Sequence, residues 1–256
     1  MRVEPIHAFE DNYIWAIRSM GPARQVAIVD PGEAAPVLRF LERTRDRLCA
    51  ILVTHRHGDH IGGIKEIRAH HPVPVYGPAI EAVEVVTMPL RDGRHLALHG
   101  MGIEFEVMHL PGHTLGHIAY YRPGMLFCGD VLFGAGCGRV FEGSLEQMHT
   151  SLARIAALPD DTRIYCAHEY TQSCLRFAQT VEPDNELIRK RADYVARLRA
   201  VDEPTVPLTL SEELDTNPFL RWKAHEVIAA ATRRLGRAPQ NDSETFGAIR
   251  NWRDTL

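Results

Sequence analysis

THRHGDH, residues 54–60, places three histidines and an aspartate directly behind an apolar run, Cys49–Val53 (CAILV). A short apolar run of this kind reads as a buried strand, so the polar cluster lies at a strand end. His55 and His57 are two residues apart and project to the same side of an extended chain. Gly58 and Gly62-Gly63 let the chain turn. Asp59 and His60 then face a point near the first pair without sharing its ligand shell. Four such side chains crowded together are costly without a cation, and imidazole with carboxylate suits zinc, iron and manganese. The spacing is not that of H-E-x-x-H on a helix.

Outward from this stretch, short apolar runs alternate with turn signals. Strands are expected at Gln25–Asp30, Val73–Tyr76, Ile103–Met108, Ile118–Tyr121, Met125–Cys128 and Arg163–Cys166, and helices at Ala34–Arg45, Ile61–His70 and Leu145–Leu158. The last of these carries Leu145, Met148, Leu152, Ile155 and Leu158 on one stripe. The class is α/β or α+β. Three further metal-competent residues follow strands: His113 in LPGHT, Asp130 after LFCG and His168 after IYCA. His55, His57, Asp59, His60, His113, Asp130 and His168 are too many ligands for one ion and suit two, with Asp130 bridging through its two oxygens. His109 and His117 read as structural residues or as groups that orient ligands.

Composition narrows the alternatives. The chain has 256 residues, and its 29 Lys+Arg against 33 Asp+Glu leave a formal charge of −4. It has no broad basic footprint for nucleic acid. The five cysteines form no C-x-x-C pair and read as small buried hydrophobes of a reducing compartment. MRVEPIHAFEDNYIW at the start has no apolar h-region, and no window approaches the roughly 18 apolar residues of a membrane span. A cytoplasmic protein with no membrane or nucleic-acid partner is expected. Beyond about residue 173 the pattern turns helical, with Leu187–Val201, Lys223–Leu235 and Ser243–Asp254 as helices, Asp242 as an N-cap and Val206–Pro218 as a loop. The expected division is 1–172 as a catalytic domain and 173–256 as a helical appendage.

THRHGDH, PGHT, CGD and AHEY together resemble the signature series of the metallo-β-lactamase superfamily. AFEDNYIW (8–15), GCGRVFEG (136–143), AHEYT (167–171), NPFLR (217–221) and AIRNWRD (248–254) are similar to the glyoxalase II (hydroxyacylglutathione hydrolase) family, over essentially the whole chain. The resemblance implies an α+β fold, an αββα sandwich with a small C-terminal helical domain that binds glutathione. It implies His55, His57 and His113 on one metal, Asp59, His60 and His168 on the other, and Asp130 between them. It also implies glutathione contacts from Arg139, Tyr170, Arg250 and Arg253. Phe141 stands where many relatives carry Tyr, which removes a hydroxyl, and Arg253 stands where Lys is common. Arg250 and Arg253 are i, i+3 on one helix and can converge on a carboxylate.

The implied activity is hydrolysis of S-(2-hydroxyacyl)glutathione thioesters, typically S-D-lactoylglutathione, to D-lactate and glutathione in methylglyoxal degradation. A hydroxide bridging two divalent ions, zinc before iron or manganese, would attack the thioester, with Asp59 orienting it. The enzyme is expected to be a monomer. Two other readings compete: a mono-iron glutathione persulfide dioxygenase, which needs only three protein ligands, and a non-catalytic metal-dependent binding module.

Overall fold

The computed structural model describes residues 1–98 and 100–256. The chain divides into two compact units. The first comprises Met1–His109, Thr114–Arg122 and Leu126–Gly129, and the second Leu110–His113, Pro123–Met125 and Asp130–Leu256.

The first unit begins with β1 (Arg2–Ala8) and β2 (Asn12–Arg18), an antiparallel hairpin in which Pro5 faces Trp15. Next come β3 (Gln25–Val29), α1 (Ala34–Thr44), β4 (Arg47–Leu52), α2 (Gly58–Ile61), α3 (Ile64–His70), β5 (Val75–Pro78) and β6 (Met88–Leu90). Strands β1 to β6 form one sheet in sequence order, antiparallel up to β3 and parallel from β3 to β6. Val37, Phe40 and Leu41 of α1 and Ile64 and Ile67 of α3 pack with Ile14, Val26, Ile28 and Ile51 on one face of it. On the other strand phase Trp15, Ile17, Ala27, Val29 and Leu52 are buried too. That is why β2 and β3 read as continuous apolar runs and not as alternating ones.

The unit continues with β7 (His95–Leu98), β8 (Ile103–His109), β9 (Ile118–Arg122) and β10 (Met125–Gly129). The hydroxyl of Tyr120, on β9, donates to Val53 O at 2.8 Å, and Ile118 N donates to Thr54 O at 2.9 Å. The strand β9 is therefore pinned to the segment that carries the histidine cluster. Phe105, Tyr120 and Phe127 pack edge to face beneath it.

The second unit holds β11 (Leu132–Phe133), β12 (Gly136–Cys137), α4 (Leu145–Ala156), β13 (Arg163–Cys166), α5 (Thr171–Val181) and α6 (Glu186–Arg199). It ends with β14 (Leu208–Thr209), α7 (Leu210–Thr216), α8 (His225–Leu235) and α9 (Asp242–Arg253). Helix α4 starts at a capping box, in which Ser144 and Gln147 satisfy each other's backbone N–H groups. Its Met148, Leu152 and Ile155 are fully buried, as the stripe requires. Arg191 of α6 and Glu213 of α7 form a buried ion pair. Glu213 Oε2 also accepts from Ala135 N and from Asn217 Nδ2, both at 2.8 Å, and Asn217 Nδ2 reaches Gly136 O at 2.9 Å. One buried carboxylate thus holds the β11–β12 turn against α6 and α7.

Four expectations are corrected. The helix Ile61–His70 is two helices, α2 and α3, broken at Gly62-Gly63. A Cβ on Gly62 would lie 2.8 Å from Gly32 O, and one on Gly63 would lie 2.4 Å from the carbonyl carbon of Glu33, so the chain there touches neighbouring backbone. Strands β1 and β2 lie outside the strands expected from the sequence pattern. The loop Val206–Pro218 contains β14 and α7. The N-cap of α9 is Asn241, whose side chain accepts from Glu244 N at 2.9 Å, and Asp242 is the first helical residue.

Candidate functional site

In the first unit the parallel pairing of β3 with β4 sets Asp30, just past β3, beside Thr54, just past β4. Asp30 is buried, and its Oδ1 accepts from Thr54 N and its Oδ2 from Thr54 Oγ1, each at 2.7 Å. His60 Nδ1 lies 3.0 Å from the same Oδ2. A carboxylate only accepts, so His60 must carry its proton on Nδ1 and present Nε2 as a lone pair. The Thr54 hydroxyl spends its proton on Asp30, so it accepts from His55 Nδ1 at 3.1 Å. His55 then presents Nε2 in the same way. Bonds of this kind fix both the tautomer and the ring plane of a metal-binding histidine.

The lone pairs so created face a ring nitrogen and a carboxylate oxygen. His55 Nε2 lies 3.0 Å from His57 Nδ1, and His60 Nε2 lies 3.4 Å from Asp59 Oδ2. Asn12 Nδ2 donates to Asp59 Oδ2 at 3.0 Å and orients that carboxylate. The rings of His55 and His60 are 4.1 Å apart, and His117 stacks on His55 at 4.7 Å. Gly129 is required beside them, because a Cβ there would sit 2.4 Å from Thr54 Oγ1 and 2.8 Å from His117 Nε2. His109 Nε2 pairs with Leu115 O at 2.9 Å, a structural bond within a loop.

The second unit carries the same chemistry around Asp130, the residue after Gly129. His113 Nδ1 donates to Arg139 O at 2.8 Å, which leaves Nε2 as the lone pair, 3.4 Å from Asp130 Oδ2. His168 Nε2 lies 3.4 Å from the other oxygen, Oδ1. Asp130 thus offers one oxygen to each of two histidines. Its residue is 6% exposed, and His113 and His168 are 4% and 5% exposed. His168 is held face to face with Tyr170, ring centroids 4.7 Å apart. Buried acceptor facing buried acceptor is repulsive unless a proton or a cation stands between them. The donor set therefore fits divalent metal, all nitrogen and carboxylate oxygen with no thiolate.

A cavity of about 370 Å³ in the second unit is lined by Arg139, Tyr170, Arg250 and Arg253 together with Phe133 and Phe219. Arg250 is buried. Its Nη1 donates to Cys137 O at 3.0 Å and its Nη2 to Asp254 Oδ1 at 2.7 Å, and its guanidinium lies over the Phe219 ring. Arg253 lies over Phe177. Phe141 is exposed, with its edge on His113 and Arg139 above its face. Cys137 and Cys174 also border the cavity; burial pushes the Cys137 thiol up to about 11 and raises that of Cys174, so neither is a thiolate at neutral pH. Asp30, Thr54 and Asn12 had not been singled out in the sequence. The one available signal was the position of Asp30 and Thr54 at strand ends.

Comparison with known proteins places these features in a family. The metallo-beta-lactamase superfamily model matches residues 9–168, and the model of the hydroxyacylglutathione hydrolase C-terminus matches residues 169–256. Among solved structures, ETHE1 from Myxococcus xanthus aligns with a TM-score of 0.69 at 22% identity, over 98% of this chain and 91% of that one. TTHA1623 in a di-iron-bound form aligns with a TM-score of 0.56 at 27% identity, over 64% of this chain and 91% of that one. These likenesses define a metallo-β-lactamase fold. The hydroxyacylglutathione hydrolase of Pseudomonas aeruginosa PAO1 is 48% identical over 99% of each chain, and that of Halorhodospira halophila 49% identical over 98% of each. The chain belongs to the hydroxyacylglutathione hydrolase family of the metallo-β-lactamase superfamily.

Proposed function

We propose that this protein hydrolyses S-(2-hydroxyacyl)glutathione thioesters, typically S-D-lactoylglutathione, to a 2-hydroxy acid and glutathione, as a step of methylglyoxal detoxification. The observation that carries this reading is the cavity that gathers Arg139 with Tyr170, Arg250 and Arg253, the last three in the segment matched by the hydroxyacylglutathione hydrolase C-terminus. Glutathione bears two carboxylates and one ammonium at neutral pH. Three guanidiniums beside aromatic faces suit such a ligand. In a chain of net charge −4 the positive charge has to be concentrated locally. Residues 1–172 would carry the chemistry and contribute Arg139 and Tyr170 to the substrate contacts, and residues 173–256 would supply Arg250 and Arg253, in a monomer acting in the cytoplasm.

His55, His57 and His113 would hold one metal ion and Asp59, His60 and His168 a second, with Asp130 shared. The two-sided presentation of Asp130 supports a pair of ions, because a single three-ligand iron gives His168 no role. Zinc fits the donor set, as do iron and manganese. When bound, the ions supply activation of water near neutral pH and polarisation of the thioester carbonyl. Asp59, oriented by Asn12, is the base that holds the proton of the attacking water. The arginines hold the glutathione end. The leaving thiolate has a solution pKa of roughly 8.5, so its departure needs no strong general acid.

Turnover of S-D-lactoylglutathione, measured alongside elemental analysis of the same preparation, tests the reading. Hydrolysis with two ions per chain is expected. A single iron with oxygen uptake on glutathione persulfide would replace this reading with the dioxygenase. Metal binding without turnover of any glutathione thioester would leave only a binding module.

A further inference from the structure

The cavity that gathers three arginines also contains one acid, Asp254, at the C-cap of α9. Its Oδ1 accepts from Arg250 Nη2 at 2.7 Å and lies 3.6 Å from Arg139 Nε. The two arginines differ in how firmly they are held. Arg250 has a 7% exposed side chain and keeps two other restraints, Cys137 O and the face of Phe219. The side chain of Arg139 is 60% exposed, and among the described residues Asp254 is its sole ionic partner. It also lies over the face of Phe141 at 5.7 Å.

We propose that Asp254 is a positioning residue that ties the exposed Arg139 guanidinium to the buried Arg250 and so presents Arg139 to an anionic group of the substrate. This role rests on the reading of the cavity as the glutathione site. Two effects of Asp254 oppose each other. Its negative charge weakens the pull of the cavity on anions. Its anchoring spares Arg139 the rotamer entropy that a long free side chain would lose on binding. The carboxylate is 29% exposed, so water screens its charge, whereas the anchor is a matter of geometry and is not screened. Anchoring therefore wins.

Steady-state kinetics on S-D-lactoylglutathione with Asp254→Ala, Asp254→Asn, Arg139→Ala and the double variant Arg139→Ala/Asp254→Ala test this. Asp254→Ala should raise KM about 3- to 10-fold with kcat unchanged, the scale of one partly exposed charge-assisted contact. Asp254→Asn keeps an acceptor oxygen for the arginines and should move KM less than about 2-fold, as expected when geometry outweighs screened charge. In the Arg139→Ala background, Asp254→Ala should add almost nothing, because it acts through Arg139. A lower KM in both Asp254 variants would show that charge repulsion governs and would overturn the role. An equal effect of Asp254→Ala with and without Arg139, or a fall in kcat together with a lower melting temperature, would reduce Asp254 to a helix cap. Absence of turnover by the wild type would overturn the glutathione reading itself, and this role with it.

Discussion

Asp30→Asn is the perturbation that most directly probes how the histidines are held. The asparagine amide has one accepting oxygen where the carboxylate had two. The 2.7 Å bond from Thr54 N to Oδ1 claims that oxygen, because the backbone cannot turn away. The amide NH2 then occupies the Oδ2 position, 3.0 Å from His60 Nδ1 and 2.7 Å from Thr54 Oγ1. Two donors cannot face each other, so His60 must move its proton from Nδ1 to Nε2. The nitrogen that meets Asp59 ceases to be a ligand. Thr54 can rotate its hydroxyl, so His55 is disturbed less. Loss of one such orienting bond typically weakens metal binding 10- to 100-fold, about 1.4–2.7 kcal/mol. On the proposed two-ion reading, competition against a chromophoric chelator should show one of the two metal equivalents weakened by that factor. Activity should return at excess metal if the second ion still binds. The variant is isosteric, so the unfolding free energy of the metal-free protein should fall by less than about 2 kcal/mol. Unchanged affinity at both equivalents would refute the tautomer argument, and equal loss at both would show that Asp30 supports the strand ends and not His60 in particular.

Arg253→Ala is the clean test of the proposed substrate cavity, because Arg250 has structural bonds to lose and Arg253 lies on an aromatic face. KM for S-D-lactoylglutathione should rise roughly 10-fold with kcat and metal content unmoved, as for remote uniform binding. Glu213→Ala leaves buried Arg191 with the part-exposed Glu212 as its counter-ion and takes the acceptor from Ala135 N and Asn217 Nδ2, so chemical denaturation should show a loss of about 3 kcal/mol. His149, packed against Trp222 and Phe246, has its pKa lowered by burial. It favours the neutral form in the fold, so stability is unaffected above the unfolded value of about 6.5 and falls as pH drops below it. His149→Phe should flatten that slope below about pH 6.5 in urea titrations, and an unchanged slope would remove His149 as its source.

What could be read from the chain follows the range over which each feature is encoded. Ser144 and Gln147 announce α4 three residues apart, and the stripe from Met148 to Ile155 fixes its buried face. His55 and His57 are two residues apart, so extended backbone alone brings their nitrogens within 3.0 Å. The hairpin of β1 and β2 was missed for a reason equally local. Pro5 sits inside β1, and proline demotes a strand unless that strand lies at an edge. Here β1 is the edge of its sheet, but edge position belongs to the assembled sheet and not to the segment. The break between α2 and α3 has the same character. Gly62-Gly63 weakens a helix on paper, but what forces the break is the backbone of residues 32–34 lying against it.

Asp30 and Arg250 mark where sequence pattern stops carrying the site. Followed by Pro31-Gly32, Asp30 looks like a turn residue at the end of QVAIVD. It becomes the group that orients His60 and, through Thr54, His55 because β3 pairs in parallel with β4 and sets the two strand ends side by side. Nothing within six residues of Asp30 encodes that. Arg250 and Arg253 were paired by their i, i+3 spacing, which states that they share a face and leaves open what the face meets. It meets Cys137 O and Asp254 on one side and the cavity on the other, so the two residues divide the work. Arg250, buried, is a fixed post, and Arg253 is the freer cation. The candidate metal ligands can be singled out in the chain because they follow strands, four of them behind β4 and His113, Asp130 and His168 each behind a strand of its own. The groups that aim them stand at the ends of other strands, and only the sheet order brings them there.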